Sequence, residues 1–313
     1  MRTAFFGTSA FAATVLRRLA GSPHRPTLVV TPPDRKRGRG RRLAAPPVAE
    51  QAAELDIALL QTASVNEPEA SARILAGAFD LAVVCAFGQL IKEPLISELD
   101  LLNVHPSLLP RWRGAAPIER AILAGDERTG VSIMRLTKGL ESGPIALQEE
   151  LAIGADENFG GLETRLAALG GDLMVRALDI GDAETLEFRE QDEADATYAE
   201  KVGPEDRRLD PSRRAVELER AVRALTPQVG AYLEIESETR LGVSAAAVWK
   251  PDPEDPGSEQ VSLDPGELRG RDGMLLLGCG EGILRLVTVQ PPGKRPMAAD
   301  AYLRGHPEPG HAV

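Results

Sequence analysis

Short apolar runs alternate with amphipathic segments along the first third of the chain. The runs predict buried strands, and the segments between them carry apolar residues at helical spacing, which predicts helices. This alternation predicts a doubly wound, mostly parallel Rossmann-like sheet of the α/β class. The predicted strands are TAFFG, TLVVT, IALLQ, DLAVVCAF and LDLLNVH, and the predicted helices are SAFAATVLRRLAG, PPVAEQAAELD and EASARILAGAF.

The pattern changes near residue 208. A helix is predicted through RAVELERAVRAL, and four short apolar segments follow it, separated by Gly, Pro and Asp turns, which is typical of a small antiparallel barrel. One core usually saturates near about 250–300 residues. A chain of 313 residues with 43% hydrophobic content is therefore expected to form two domains. We place the first at 1–188, a linker at 189–207 and the second at 208–313.

Charge and composition narrow the functional classes. A net charge of −11 argues against a protein that coats nucleic acid through its overall charge. The longest apolar runs are far shorter than the ~20 residues of a membrane-spanning helix, and the amino terminus lacks a signal-peptide pattern, so a cytoplasmic protein without membrane partners is expected. Cys85 and Cys279 lie far apart in apolar runs, which predicts buried reduced thiols and no metal site. A monomer is the expected oligomeric state.

A local basic strip, DRKRGRGRRL at 34–43, stands out against the acidic total. It carries six Arg or Lys residues and one Asp. One interpretation is a solvated loop. The other is a flexible strip that binds a polyanion, because glycines alternate with arginines and the loop could become ordered on a phosphate backbone. No aromatic residue is interleaved, so base stacking is not expected.

The candidate chemistry lies where the strand LDLLNVH ends. Strand side chains alternate, so Asn103 and His105 project from one face. Ligands of open α/β sheets bind at the carboxyl ends of strands, where a loop with Glu141 is also expected. This set suits acyl transfer without a nucleophilic side chain, because amide and imidazole can stabilise an oxyanion and the carboxylate can orient the imidazole or a water. A purely structural interpretation also exists for each residue. The first turn lacks G-x-G-x-x-G, which disfavours a dinucleotide-binding dehydrogenase.

The long segment NVHPSLLPRWRGAAPIERAILAGDERTGVSIMRL resembles the signature of folate-dependent formyltransferases. Within that superfamily, the basic strip resembles the insertion that members acting on methionyl initiator tRNA use against its acceptor end. VVCAFGQLIKEPLI resembles their folate-pocket segment, and TYAEKVGPEDRRLD resembles the linker before their second domain. The likeness covers nearly the whole chain.

The resemblance implies transfer of the formyl group of 10-formyltetrahydrofolate to the α-amino group of methionyl initiator tRNA. Asn103 and His105 are then expected to stabilise the oxyanion of a tetrahedral intermediate, while Glu141 holds the imidazole and a water that carries protons. The second domain is expected to be an OB-like barrel that helps to hold the tRNA. The residues assigned to the folate are Phe87, Gly88, Leu90, Ser107, Leu108, Leu109 and Pro110. Those assigned to the tRNA are Arg39, Arg41, Arg42, Lys294 and Arg295.

Two segments depart from the family's pattern. The family's Gly-Leu-Asp-Thr-Gly is Gly-Leu-Glu-Ser-Gly at 139–143, so Glu141 stands where the catalytic Asp is expected. We hypothesise that the loop compensates for the extra methylene, because otherwise a displacement of about 1 Å would impair catalysis. The family's Asn-Pro-Trp-Pro is replaced by Leu-Thr-Pro-Gln at 225–228.

Two alternative functions stay open. One is a formyltransferase that acts on a small amine, such as a glycinamide nucleotide or an amino-sugar nucleotide, although the basic strip and the second domain argue against it. The other is a tRNA- or folate-binding homologue that has lost catalysis through the change at residue 141. Competition between a small amine and aminoacylated tRNA as acceptors tests the first alternative. Detectable turnover with the folate and the tRNA would exclude the second.

Overall fold

The computed structural model describes residues 1–37, 42–181, 186–235, 239–251, 254, 261–306 and 310–313. Contacts between Cα atoms divide the chain into two compact units. Unit 1 comprises Met1–Pro117, Arg128–Ala152 and Glu163–Ala199. Unit 2 comprises Ile118–Glu127, Ile153–Leu162 and Glu200–Val313. The candidate catalytic residues Asn103, His105 and Glu141 therefore all belong to unit 1.

The strands and helices of the described residues alternate in unit 1, whereas strands dominate the later part of unit 2. The strands are β1 (Thr3–Gly7), β2 (Leu28–Thr31), β3 (Arg35–Arg37), β4 (Arg42–Ala44), β5 (Ala58–Gln61), β6 (Leu81–Cys85), β7 (Leu101–His105), β8 (Arg113–Gly114), β9 (Arg128–Arg135), β10 (Ile145–Ala152), β11 (Tyr198–Ala199), β12 (Ala231–Ile235), β13 (Thr239–Val248), β14 (Leu268–Arg271), β15 (Met274–Gly278), β16 (Ile283–Gln290) and β17 (Met297–Ala298). The helices are α1 (Ala10–Ala20), α2 (Pro47–Glu54), α3 (Pro68–Leu75), α4 (Leu95–Glu98), α5 (Pro117–Ala124), α6 (Phe159–Ile180), α7 (Pro204–Arg207), α8 (Ala215–Leu225) and α9 (Ala299–Gly305).

A seven-stranded sheet forms the centre of unit 1, in the order β10-β9-β7-β6-β1-β2-β5. The strands from β7 to β5 in this order run parallel, and β9 and β10 are antiparallel to their neighbours. The predicted doubly wound, mostly parallel sheet is therefore confirmed. All residues of β1, β6 and β7 are buried, as expected for parallel strands that are covered on both faces.

Part of the basic strip is ordered as strands, so the prediction of a continuous flexible loop is wrong for its ends. β3 and β4 pair antiparallel. Strand pairing satisfies backbone N–H and C=O groups that a loop would leave to water. Charged side chains are common in short strands at a protein surface, so the basic residues do not prevent this pairing. Arg42 is exposed in β4. The predicted tRNA contacts Arg39 and Arg41 lie outside the described residues.

Unit 2 contains an antiparallel sheet in the order β12-β13-β16-β15-β14, with β17 paired to β16. Residues near the end of the chain link its two outer strands, because Ala312 bridges Ile235 in β12 and His311 bridges Glu267 just before β14. The sheet therefore curls into the half-barrel expected for an OB-like domain. Its interior is filled by leucine and valine side chains from the strands and from α8.

Cys85 and Cys279 are buried free thiols, as predicted. Burial raises the pKa of the Cys279 thiol to about 11 and raises that of Cys85 as well. Thiolates are the reactive form of cysteine, so neither residue is set up as a nucleophile at neutral pH. Among the described residues, no group of three or more His, Cys, Asp and Glu side chains is arranged to hold a metal ion. No helix in the described ranges is long and apolar enough to cross a bilayer.

Candidate active site

Asn103 and His105 lie on the same face at the carboxyl end of β7, as strand alternation requires. Asn103 is 8% exposed and His105 is 2% exposed. Within the described part of the chain, no hydrogen bond joins the Asn103 side chain to another group. The Asn103 amide atoms are not among the fully buried side-chain atoms that lack a partner in the described residues, so they keep some access to solvent. The amide is therefore open to a ligand at the strand end.

Both ring nitrogens of His105 face oxygen atoms. Nε2 lies 2.9 Å from the carbonyl oxygen of Trp112, and Nδ1 lies 3.3 Å from Glu141 Oε1. A carbonyl oxygen only accepts hydrogen bonds, so Nε2 must carry a hydrogen. A neutral ring would then turn the lone pair of Nδ1 towards a carboxylate, which is repulsive. A proton on Nδ1 or on the carboxyl group of Glu141 would turn this contact into a hydrogen bond.

Glu141 reaches His105 from a residue with left-handed backbone geometry, with φ of 49°. Its Oε2 atom accepts a hydrogen bond from the backbone N–H of Gly114, while Oε1 faces the imidazole. The carboxylate thus spans two groups that lie on either side of it. Both carboxylate oxygens of Glu141 therefore have a partner, which supports a loop that is adapted to the Glu side chain.

Hydrogen bonds hold the segment 107–114 that carries the Trp112 carbonyl. The Ser132 hydroxyl donates to the carbonyl of Ser107 at 2.6 Å and accepts from the N–H of Leu109 at 3.1 Å. The amide of Gln148 donates to the carbonyl of Leu109 at 2.9 Å. Ser132 is fully buried, so this anchor is shielded from water. The position of the Trp112 oxygen against His105 is therefore built into unit 1.

The predicted folate residues of this segment differ in their exposure. Ser107 and Leu109 are buried, and Leu108 and Pro110 are half-buried. The Ser107 hydroxyl donates to the carbonyl of Arg111 at 2.5 Å. Ser107 thus serves the local fold in this structure, and Leu108 and Pro110 are the members of the set with accessible surface.

The other predicted folate residues follow β6. Phe87 is buried edge-on against Phe6, with ring centroids 5.5 Å apart. Gly88 has φ of 74°, a left-handed geometry that favours glycine, and a Cβ placed there would meet no atom within 4 Å. Leu90 is 68% exposed. The loop after β6 therefore presents an open, partly apolar edge beside the strand end that carries Asn103.

Three residues around the site were not predicted from the sequence. Arg113 is 2% exposed, and its guanidinium donates to both carboxylate oxygens of Glu193 at 2.9 Å and to the amide oxygen of Gln191. The hydrogen bonds and charge of Glu193 raise the pKa of Arg113 despite its burial, and the guanidinium in turn lowers the pKa of Glu193. The one available signal was the position of Arg113 inside the NVHPSLLPRWRG segment.

The predicted tRNA contacts of the second domain, Lys294 and Arg295, are exposed between β16 and β17 of unit 2. Gln290 donates to the carbonyl of Lys294 at 2.8 Å, which ties this turn to the end of β16. Both side chains are thus available for an anionic partner.

Comparison with known families defines the class. The formyl transferase family model matches residues 1–178, and the model of the formyl transferase C-terminal domain matches residues 201–307. Together with the two folds described above, these matches define a formyltransferase enzyme that has both the formyl transferase domain and the formyl transferase C-terminal domain. The chain is 42% identical over 308 residues to methionyl-tRNA formyltransferase of Methylococcus capsulatus, covering 98% of this chain and 97% of that one. It belongs to the methionyl-tRNA formyltransferase family, as the sequence resemblance indicated.

Two further comparisons concern the sequence and the fold. The methionyl-tRNA formyltransferase of Pseudomonas paraeruginosa is 42% identical over 307 residues, which cover 96% of this chain and 95% of that one. The crystal structure of HypX from Aquifex aeolicus in complex with tetrahydrofolic acid superimposes with a TM-score of 0.63 at 15% identity. The comparison covers 97% of this chain but only 47% of HypX, and at this identity it shows the fold alone.

Shortening the carboxylate tests whether the loop is adapted to Glu141. An Asp side chain at this position cannot reach His105 Nδ1 and the Gly114 N–H together, so we expect Glu141→Asp to lower the single-turnover formyl-transfer rate by about 100-fold. Asp adopts positive φ more readily than Glu, so the Tm should not fall. A large gain in rate would instead show that Glu141 impairs the native enzyme.

Proposed function

We propose that this enzyme transfers the formyl group of 10-formyltetrahydrofolate to the α-amino group of methionyl initiator tRNA. The observation that carries the proposal is the nearly buried Asn103 amide, which no other described residue hydrogen-bonds, beside the His105–Glu141 pair at the carboxyl end of β7. The names of the relatives support the choice of donor and acceptor class, because the likeness extends over both units.

The proposed reaction begins when the neutral α-amino group attacks the formyl carbon. A C–N bond forms, the carbonyl oxygen gains negative charge, and Asn103 donates a hydrogen bond to that oxygen. His105 adds a second donor by turning its Nε2–H from the Trp112 carbonyl to the oxyanion. Collapse of the intermediate breaks the bond from carbon to N10 of the folate.

Protons must balance in this exchange. The attacking amine loses one proton and N10 gains one, so no net proton is consumed. We take the His105–Glu141 pair to hold one proton more than a neutral imidazole and a carboxylate, because its Nδ1 and Oε1 atoms lie 3.3 Å apart. We assign it the transfer of this proton to N10, with the proton from the amine restoring the pair. The residues proposed to hold the folate are Phe87, Gly88, Leu90, Ser107, Leu108, Leu109 and Pro110.

The proposed domain boundaries assign catalysis to 1–188 and tRNA binding to 208–313, joined by 189–207. Unit 2 contains a curled antiparallel half-barrel, and OB folds are barrels that bind oligonucleotides. Lys294 and Arg295 are the proposed phosphate contacts there, and Arg39, Arg41 and Arg42 are the proposed contacts of the basic strip.

The direct test follows isotope-labelled formyl from 10-formyltetrahydrofolate to acceptors. We expect label on aminoacylated initiator tRNA and none on free methionine, a glycinamide nucleotide or an amino-sugar nucleotide at equal concentration. Preferred labelling of a small amine would replace the proposal with the first alternative. Binding of both substrates without turnover would favour the homologue that has lost catalysis.

The basic strip is tested by the salt dependence of tRNA binding. Each neutralised phosphate adds about −0.9 to the slope of log affinity against log salt concentration. We expect the triple substitution of Arg39, Arg41 and Arg42 by Ala to lower the magnitude of the slope by about 1 for each phosphate that is no longer neutralised.

A matched control for the basic strip removes the same charge elsewhere in unit 1. Arg18, Arg128 and Arg176 each pair with an acidic side chain, and their triple substitution by Ala should leave the slope almost unchanged. Equal slopes for the two triple variants would contradict a specific role for the strip.

A further inference from the structure

The amide of Gln191 joins the Glu141 loop to a buried guanidinium. Its nitrogen donates to the carbonyl of Glu141 at 2.8 Å and to the carbonyl of Gly143 at 2.7 Å. Its oxygen accepts from Arg113 Nε at 3.0 Å and from Nη2 at 2.9 Å. Both donors and both acceptor positions of the amide are therefore occupied. One of these carbonyls belongs to Glu141 itself, and the other belongs to Gly143 in the same loop.

The other end of this network is fixed as well. Arg113 is 2% exposed and is held by a bidentate ion pair with Glu193. Pairs of parallel N–H···O bonds of this kind fix orientation as well as distance. Backbone pairing between β8, which contains Arg113, and β11 adds a further restraint on this part of the chain. The loop of Glu141 is thus tied through Gln191 to an anchored group.

We infer that Gln191 is a positioning residue that sets the place of the Glu141 carboxylate against His105, an inference that rests on the proposed function. Residue 141 has φ of 49°, so its carbonyl and side chain point in directions that the loop must hold. Gln191 holds the carbonyl, while Gly114 and His105 meet the carboxylate. A carboxylate at 191 could still accept from Arg113 but would repel both carbonyls, so only an amide serves both sides.

Gln191 lies in a stretch that neither family model covers. The first match ends at residue 178, and the second begins at residue 201. Gln191 also lies in the proposed linker at 189–207. A segment that was expected only to connect two domains therefore has a role in the reaction.

The test compares Gln191→Glu with the parent enzyme in formyl transfer to charged initiator tRNA. We expect kcat to fall by about 10- to 100-fold, the scale of a carboxylate displaced by about 1 Å, with KM for both substrates within about twofold. Gln191→Met removes both donors without adding charge and should give a similar fall. In a Glu141→Gln background, Gln191→Glu should cost less than about threefold, because the carboxylate that it positions is gone.

Gln51 offers a matched control. Its amide oxygen accepts from Arg17 Nε and Nη2, and its nitrogen donates to Glu54, so it has the same kind of contacts away from the site. Gln51→Glu should leave kcat within about twofold, as expected for a change remote from the reacting groups. A fall in kcat for Gln51→Glu equal to that for Gln191→Glu would overturn the positioning role.

An NMR measurement separates failure of this inference from failure of the proposed function. The ¹⁵N shift of His105 Nδ1 should change in Gln191→Glu and Gln191→Met but not in Gln51→Glu. No change in shift, or a kcat within twofold of an active parent, overturns the positioning role. A parent that transfers no formyl to tRNA overturns the proposed function, and the shift then still reports whether Gln191 places the carboxylate.

Discussion

Asn103→Ala should lower the single-turnover rate of formyl transfer by about 100- to 1,000-fold, equivalent to about 2.7–4 kcal/mol in the barrier. The reason is that Asn103 lies at the end of β7 with no hydrogen-bond partner for its amide among the described residues, so its N–H group is free to meet the developing charge. A donor that is already in place needs little reorganisation in the transition state. Removing it leaves the developing oxyanion with a weaker partner.

Binding and stability separate this effect from damage to the fold. Folate binding and Tm should change little, because truncation removes an amide that stabilises nothing in the free enzyme. Asn158→Ala is a useful comparison, since its amide oxygen accepts from Gly161 N–H at 3.0 Å and serves the fold. That variant should lose about 1 kcal/mol of stability while keeping its rate. A rate for Asn103→Ala within threefold of the parent would rule out the oxyanion role.

Glu141→Gln should lower kcat by about 100- to 10,000-fold, the range associated with a lost general acid–base group. The Gln amide oxygen can still accept from Gly114, and its NH₂ group can donate to His105 Nδ1. This exchange fixes a neutral imidazole with its hydrogen on Nε2 and removes the extra proton that the native pair is proposed to hold. The variant therefore keeps the shape of the site but lacks the proton that His105 and Glu141 are proposed to share.

Kinetic constants measured at one pH test the pair. In Glu141→Gln, KM for the folate should stay within about threefold while kcat falls. Glu149→Gln is the matched control, because Glu149, on the edge strand β10, pairs with Arg176. That variant should keep its kcat. A parent-like kcat in Glu141→Gln would show that the carboxylate does not share the catalytic proton.

The contacts of His105 fit both a structural histidine and the proposed catalytic one. The ring is buried and bonded at both nitrogens, as a structural histidine would be. One of its partners, however, is the Glu141 carboxylate, with which it is proposed to share a proton. The carbonyl oxygen of Trp112 contacts Nε2, which is the nitrogen that is proposed to donate to the oxyanion. Movement of the ring or of the segment 107–114 is therefore part of the proposed reaction.

The sequence by itself determined the sheet, the half-barrel and the pair of polar residues at the end of β7. These follow from periods of two and 3.6 residues, which depend only on near neighbours. The shared orientation of Asn103 and His105 is also a local property, since residues two positions apart in any strand project from the same face. The family signature was likewise a continuous segment.

Tertiary structure alone decided which groups meet. The carboxylate of Glu141, the carbonyl of Trp112 and the amide of Gln191 converge through loop geometry and strand register, and Gln191 lies 78 residues from its partner Arg113. Hydrophobic periodicity does not encode where a loop with positive φ turns or which distant carbonyl it meets. The pairing of β3 with β4 was also invisible in the sequence, because six basic residues among two glycines carry no strand pattern. Local spacing thus placed Asn103 and His105 on one face, and long-range packing brought Glu141 and Gln191 to them.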